Sequence, residues 1–231
     1  MFAAGETSRL VPSRADAADD SLDRVVRTLR GDGLVAFPTE TVWGLGARAE
    51  SEPAVARLRA WKGRDAHKPI SVLVSGLESL ERLGVAVGPG LGELIRAFWP
   101  GPVTVVVPCR HRFAPAVARG DGAVGVRCSS HPVARELVAA AEAQDLGPIT
   151  ATSFNRSGGP PARSLAEARR LAEGGGGDFS DGERVLVLET AWAEALQQAP
   201  STVVDVTGAE PRVLRWGAVS AQQLEPVLLK F

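Results

Sequence analysis

Short apolar runs, several of them β-branched, recur along the whole chain, and segments of helical spacing separate them. Residues 34–37, 71–74, 103–107, 124–127, 148–152, 185–188, 202–206 and 212–214 read as strands, because brief apolar runs between turn signals suit a buried sheet. Residues 21–29, 52–61, 77–83, 91–98, 132–143, 165–172 and 220–229 read as helices. Ser51 caps the second of these, Pro53 sits in its first turn, and Gly31 with Gly33 stops the first. Residues 42–47 alternate small and apolar side chains around Gly44 and Gly46. Strands interspersed with helices predict an α/β (α+β) fold with a mixed sheet. The 231 residues suffice for one sizeable core or two small ones. No internal repeat is visible, and the glycine run at 174–177 reads as a surface turn. One domain over 19–231 is the simplest account, preceded by a loose arm at 1–18 rich in Ala, Asp, Ser and Arg.

The formal net charge of −1 offers no global attraction for nucleic acid, so any polyanion site must be a local cluster. Cys109 and Cys128 lie on separate segments without metal-type spacing and read as free thiols of a reducing compartment. His67, His111 and His131 show no metal spacing, and His131 before Pro132 reads as structural. No apolar run approaches the roughly 20 residues that span a bilayer. Glu6 and the lack of an apolar stretch at the N-terminus argue against a signal peptide. The expectation is a cytoplasmic protein with no membrane partner. The chain contains no G-x-x-x-x-G-K-[ST], no G-x-G-x-x-G in a strand–helix setting and no G-x-S-x-G.

Several segments place polar groups where ligands bind. Pro38-Thr39-Glu40-Thr41 follows the strand at 34–37, and ligands in open α/β sheets sit beyond carboxyl ends of strands. Hydroxyls and amides there could hold a carboxylate or phosphate, or Thr39 and Glu40 could simply satisfy their own turn. Lys62 and Arg64, two apart, can point the same way from an extended loop and bracket a triphosphate. Gly63 between them suggests close ligand approach. Arg57 and Arg59 read instead as a solvated helix face near the end that favours cations. Residues 150–158 end a strand in hydroxyls, an amide and a glycine, which suits phosphate oxygens or a capped turn equally. Trp99-Pro100-Gly101-Pro102 forms a rigid corner, with Trp99 in core packing. Residues 201–205 and Arg215-Trp216-Gly217 have no legible function by themselves.

The segments "GLVAFPTETVWGLGA", "KGR…KPISVL", "FWPGPVTVVV", "VGVRCSSHP", "ITATSFNRSGGP" and "STVVDVTGAEPRVLRWG" stand in one order over about residues 20–220. Together they resemble the YrdC/TsaC family, in its short form without an extra C-terminal domain. The resemblance implies a YrdC-like twisted mixed sheet with flanking helices and a basic cleft. It implies a nucleotidyltransferase that forms threonylcarbamoyl-AMP and pyrophosphate from L-threonine, bicarbonate and ATP, for tRNA threonylcarbamoyladenosine modification. By resemblance Lys62, Arg64, Ser153, Asn155 and Arg215 bind ATP, while Thr39, Arg127 and Ser201 meet L-threonine or its carbamate. No catalytic residue is assigned. Mg²⁺ is expected with ATP, and the sequence offers no carboxylate cage for it. A downstream threonylcarbamoyl transferase complex, and a contact with tRNA or double-stranded RNA, are among the partners implied.

The chain departs from the family pattern at several places, among them the strand at 71–74, which lacks a His that some members carry. Trp43 replaces the usual Tyr, Arg127-Cys128-Ser129 replaces R-x-P, and Phe154 stands inside the S-A-N motif. A YrdC-like RNA-binding module without synthase activity is the alternative reading. A carbamoyl-transfer paralogue is a third, and such paralogues sit in longer multidomain chains.

Overall fold

Alternation along each strand decides the architecture. The computed structural model describes residues 14–63, 68–174, 185–188 and 199–231. Its strands are β1 (Val35–Phe37), β2 (Gly44–Gly46), β3 (Ser71–Leu73), β4 (Val103–Pro108), β5 (Ala123–Arg127), β6 (Ile149–Ser153), β7 (Leu186–Val187), β8 (Thr202–Asp205) and β9 (Arg212–Arg215). Its helices are α1 (Arg14–Arg30), α2 (Glu52–Lys62), α3 (Leu77–Arg82), α4 (Pro89–Phe98), α5 (Pro132–Ala143), α6 (Leu165–Glu173) and α7 (Ala221–Leu228). The strands form one sheet in the order β7-β1-β2-β6-β3-β5-β4-β8-β9. Parallel pairing joins β1 to β7, β3 to β5 and β4 to β8, and the other neighbours run antiparallel. The mixed sheet with flanking helices expected from the sequence is therefore present.

Successive side chains on a strand point to opposite faces. On one face Val72, Val103, Val105, Val107, Val124, Val126 and Val204 join the larger core. Leu58 and Trp61 of α2, Leu94 of α4 and Leu224 of α7 pack into it. On the other face Val35, Phe37, Leu73 and Ile149 meet Val25 and Leu29 of α1 and Val133, Leu137 and Ala141 of α5. Each fully buried Val, Leu, Ile or Phe among them contributes about 1.5–3 kcal/mol. That second core draws its strand residues from β1, β3 and β6. Across β4, β5 and β8 the same face instead lines a cleft.

Helix ends follow local chemistry. Ser51 Oγ accepts from Ala54 N at 3.3 Å, with Pro53 in the first turn as expected. His131 caps α5, its Nδ1 accepting from Val133 N at 3.2 Å, which agrees with a structural histidine. The start of α1 differs: it begins at Arg14, ahead of the expected Ser21. Ala15, Ala17 and Ala18 favour helix without adding to an apolar stripe, so periodicity alone misses them. Residues 1–13, most of the expected arm, lie outside the described residues. Gly174 ends α6, and the rest of its glycine run also lies outside them.

Phe154 is fully buried and stacks on Trp61, with ring centroids 4.8 Å apart and planes at 23°. Phe154→Ala should lower unfolding free energy by about 3–5 kcal/mol, and Phe154→Leu by less. Urea unfolding with an unchanged slope would check both values. A Phe154→Ala protein with the parental midpoint would contradict this placement.

Candidate active site

Five adjacent strands send alternate residues to one cleft of about 500 Å³, a size that suits a small molecule. Its wall takes Ala151 and Ser153 from β6, Ser71 and Leu73 from β3, and Gly125 and Arg127 from β5. Thr104 and Val106 of β4 and Val203 of β8 continue it, with Ser201 just before β8. Register holds the set together, since Ser71 pairs with Ala151, Leu73 with Arg127, Val106 with Gly125 and Thr104 with Val203. Arg119, Arg127, Arg163 and Arg215 line the cleft, and among the described residues no carboxylate does.

The loop between β1 and β2 closes one end. Thr39 and Thr41 both line the cleft and are buried. Thr39 Oγ1 donates to Val42 O at 2.6 Å and accepts from Thr41 N at 3.2 Å. Thr39 thus satisfies its own turn and also faces the cleft. Thr39 Oγ1 also lies 2.9 Å from Thr41 Oγ1, which accepts from Arg127 Nη2 at 2.9 Å. Arg127 Nε donates to Gly101 O at 3.4 Å, so the Pro-Gly corner supports it. Glu40 stands behind the wall at 4% exposure, with Oε1 2.9 Å from Arg127 Nη2 and Oε2 accepting from Ser129 Oγ. Oε1 has no aligned hydrogen bond among the described residues, so that contact is an ion pair. Burial alone would raise the Glu40 carboxyl, but the Arg127 charge and the Ser129 hydroxyl outweigh it and hold the group below its ordinary value. Glu40 is therefore ionised at neutral pH.

Lys62 ends α2 with its side chain buried. Its Nζ donates to Ser153 O, and to Asn155 O and Asn155 Oδ1 at 3.0 Å each. Ser153 Oγ donates to Asn155 Oδ1 at 2.7 Å, and Asn155 Nδ2 donates to Gly159 O at 2.6 Å and to Arg156 O at 3.0 Å. The structure thus brings Lys62, Ser153 and Asn155 together, with Ser153 on the cleft wall. Arg64 lies outside the described residues. Gly63 adopts φ 60°, ψ 40° as the left-handed cap of α2, and no atom lies within 4 Å of where its Cβ would be. Helix termination by itself calls for a glycine here. Phe154, just past the end of β6, is buried in the core, so its bulk does not obstruct the cleft.

At the far end Arg215 donates to Ser201 O from Nε at 3.1 Å and from Nη2 at 2.9 Å, and to Ser201 Oγ at 3.1 Å. Ser201 Oγ lies 2.9 Å from Thr104 Oγ1. A Cβ on Gly217 would meet Pro200 O at 2.1 Å, so only glycine lets this segment lie against β8. Burial first, and then the charge of Arg127, hold the Arg215 guanidinium below its ordinary value. The charges of Arg127 and Arg215 are thus felt across one cleft, which favours an anion between them. Arg119 and Arg163 were not evident from sequence, since neither stands in a recognisable motif. Arg119 Nη1 pairs with Asp205 Oδ2 at 2.7 Å, and a second pair joins it to Asp121. Those partners raise its affinity for a proton and absorb much of its charge.

Residues 27–217 match the Sua5/YciO/YrdC family model, described as "Telomere recombination". A threonylcarbamoyl-AMP synthase of Chromohalobacter salexigens is 36% identical over 195 residues, covering 83% of this chain and 95% of its own. The structure of Pyrococcus abyssi Sua5 complexed with L-threonine superposes with TM-score 0.77 at 33% identity, over 91% of this chain and 58% of that one. The Escherichia coli YciO structure, at TM-score 0.71 and 21% identity over 87% and 91%, shares the fold. The chain belongs to the Sua5/YciO/YrdC family.

Proposed function

We propose that this chain is a threonylcarbamoyl-AMP synthase, a nucleotidyltransferase acting on L-threonine, bicarbonate and ATP. One observation carries the reading: a small-molecule cleft whose charged wall consists of guanidiniums and whose neutral polar wall consists of hydroxyls. A relative bearing that enzyme name matches over most of both chains, and a similar structure is described as complexed with L-threonine.

The chemistry joins three reactants. The threonine amine adds to carbon dioxide or bicarbonate to give a carbamate, with loss of water in the second case. A carbamate oxygen attacks the α-phosphorus of ATP, and the bond to the β-phosphate oxygen breaks as pyrophosphate leaves. Charge spreads over phosphate oxygens in such a step, so positioning and charge neutralisation matter more than a strong base. Arg127, with Thr39 and Ser201, is assigned to the threonine carboxylate or carbamate. Arg215, Ser153 and Asn155, with Lys62 and Arg64, are assigned to ATP. Lys62 acts here by tying the Ser153–Asn155 turn to α2, since its ammonium already meets three oxygens of that turn. The sunken position of Arg127 suits a small anion better than a polynucleotide backbone. The tRNA-modifying complex is assigned as consumer of the product.

The described cleft wall contains no carboxylate, and no group of acids, histidines or cysteines there could cage a metal. The donor set does not fit a protein-held Mg²⁺ ion, so Mg²⁺ is treated as part of the ATP substrate. Among the described residues no helix is long and apolar enough to cross a membrane.

The purified protein should release pyrophosphate from ATP and bicarbonate only when L-threonine is added. Release that ignores threonine would refute the proposal. Arg215→Ala should lower kcat/KM by on the order of a hundredfold, the scale of losing charge-assisted contacts to a developing anion. Arg64→Ala should abolish activity without unfolding, and surviving activity would misplace the phosphate site. Lys62→Met should lower stability by about 1–3 kcal/mol, because buried acceptors lose their donor. It should also raise KM for ATP, and kinetics beside urea unfolding read both effects.

A further inference from the structure

Glu40 is a buried acid paired with a cleft arginine, and the proposed chemistry leaves it without a substrate contact. It is 4% exposed and does not line the wall. We propose that Glu40 is a positioning residue, which fixes the Arg127 guanidinium to receive the carboxylate or carbamate of the amino-acid substrate. The inference rests on the synthase reading for the identity of that anion.

The geometry shows how Arg127 is held. Its Nη2 faces Glu40 Oε1 and Thr41 Oγ1, each at 2.9 Å, and its Nε donates to Gly101 O at 3.4 Å. These contacts occupy one edge of a planar fork, and among the described residues no hydrogen bond occupies Nη1. A guanidinium pinned on one edge presents the rest of its fork in a fixed direction. Glu40 is itself fixed, because Ser129 Oγ donates to Oε2 and accepts from His131 N at 3.2 Å. The N-cap residue of α5 thereby anchors the pair from behind. A run of contacts from Ser129 through Glu40, Arg127 and Thr41 to Thr39 links two residues assigned to the amino-acid end.

Charge strengthens the case. Arg127 depresses proton affinity at Arg215, so the two cations repel across the cleft. A neutral residue at position 40 would leave that repulsion uncompensated, and Arg127 would turn away from the wall. The ionised carboxylate opposes this without entering the cleft, where it would repel the anionic substrates.

The test is Glu40→Gln, which keeps the shape and removes the charge. KM for L-threonine should rise about tenfold to a hundredfold, the range for losing a group that orients a ligand-binding side chain. KM for ATP should stay within about twofold. A purely structural role would move both, and that outcome overturns the proposal. In an Arg127→Met background, Glu40→Gln should add less than about twofold, because the two residues act as one unit. A full independent effect there also overturns it. Should Glu40→Gln fail to fold, Ser129→Ala decides, with threonine KM up about threefold to tenfold and ATP KM unchanged. Nitrogen-15 NMR of the Arg127 Nε–H supplies an arm that needs no turnover. That proton should exchange with water at least about tenfold faster once position 40 or 129 is altered. An unchanged exchange rate overturns the positioning role. An absence of threonine-dependent pyrophosphate release in the parent protein refutes only the synthase reading.

Discussion

The two-residue repeat of the strands is the constraint on which the rest depends. In β4 it sends Val103, Val105 and Val107 into the core and leaves Thr104 and Val106 facing the cleft. In β5 it gives the core Val124 and Val126 and the cleft Gly125 and Arg127. A slip of one residue would bury Arg127 among valines and expose Val126. The register that stabilises the core is therefore also the register that builds the site. Helices α1 and α5 cover part of that face, and the uncovered strands become a wall for polar chemistry.

The arginines of that wall are graded by their partners. Arg119 faces two carboxylates, Asp205 and Asp121. Arg127 has one, Glu40. Arg215 is held by the carbonyl and hydroxyl of Ser201, which orient a guanidinium without cancelling its charge. An anion gains most from the cation least neutralised by the protein. Of these three, Arg215 thus carries the least matched charge, while Arg127 offers a weaker and better oriented contact. Reactants with a phosphate chain at one end and a carboxylate at the other match that division.

Much of the fold was legible because its signals are local. The valine-rich strands, the Ser51 cap and the His131-Pro132 helix start need only neighbouring residues. The motif residues Thr39, Arg127, Ser153, Ser201 and Arg215 could be named from sequence, and they do meet in one cleft. What sequence could not supply was the pairing. Glu40 and Ser129 lie 89 residues apart, and Lys62 and Ser153 lie 91 apart, so no spacing rule links them. Arg119 was hidden for the same reason, because its partner Asp205 is 86 residues away. Gly63 shows a different ambiguity. Sequence says that a glycine is needed but not why, and a left-handed helix cap and a close ligand contact demand the same residue.

The triplet Ser153-Phe154-Asn155 shows how one departure from the family pattern is absorbed. Ser153, the last residue of β6, lines the cleft, and Phe154 just after it enters the core, where the ring stacks on Trp61. Arg156 then lies over Trp61 with its guanidinium carbon 4.2 Å from the ring centroid and donates to Trp61 O. Trp61 is thus held between a ring and a cation, and its chain neighbour Lys62 reaches back to Ser153 and Asn155. The large residue adds apolar contact behind the turn without narrowing the space in front of it. A small residue at 154 would leave Trp61 with an unfilled face, so the bulk of Phe154 and the size of Trp61 are coupled choices. The turn that carries Ser153 and Asn155 is therefore braced from the core side by stacking and from the helix side by an ammonium group, with Ser153 kept on the cleft wall.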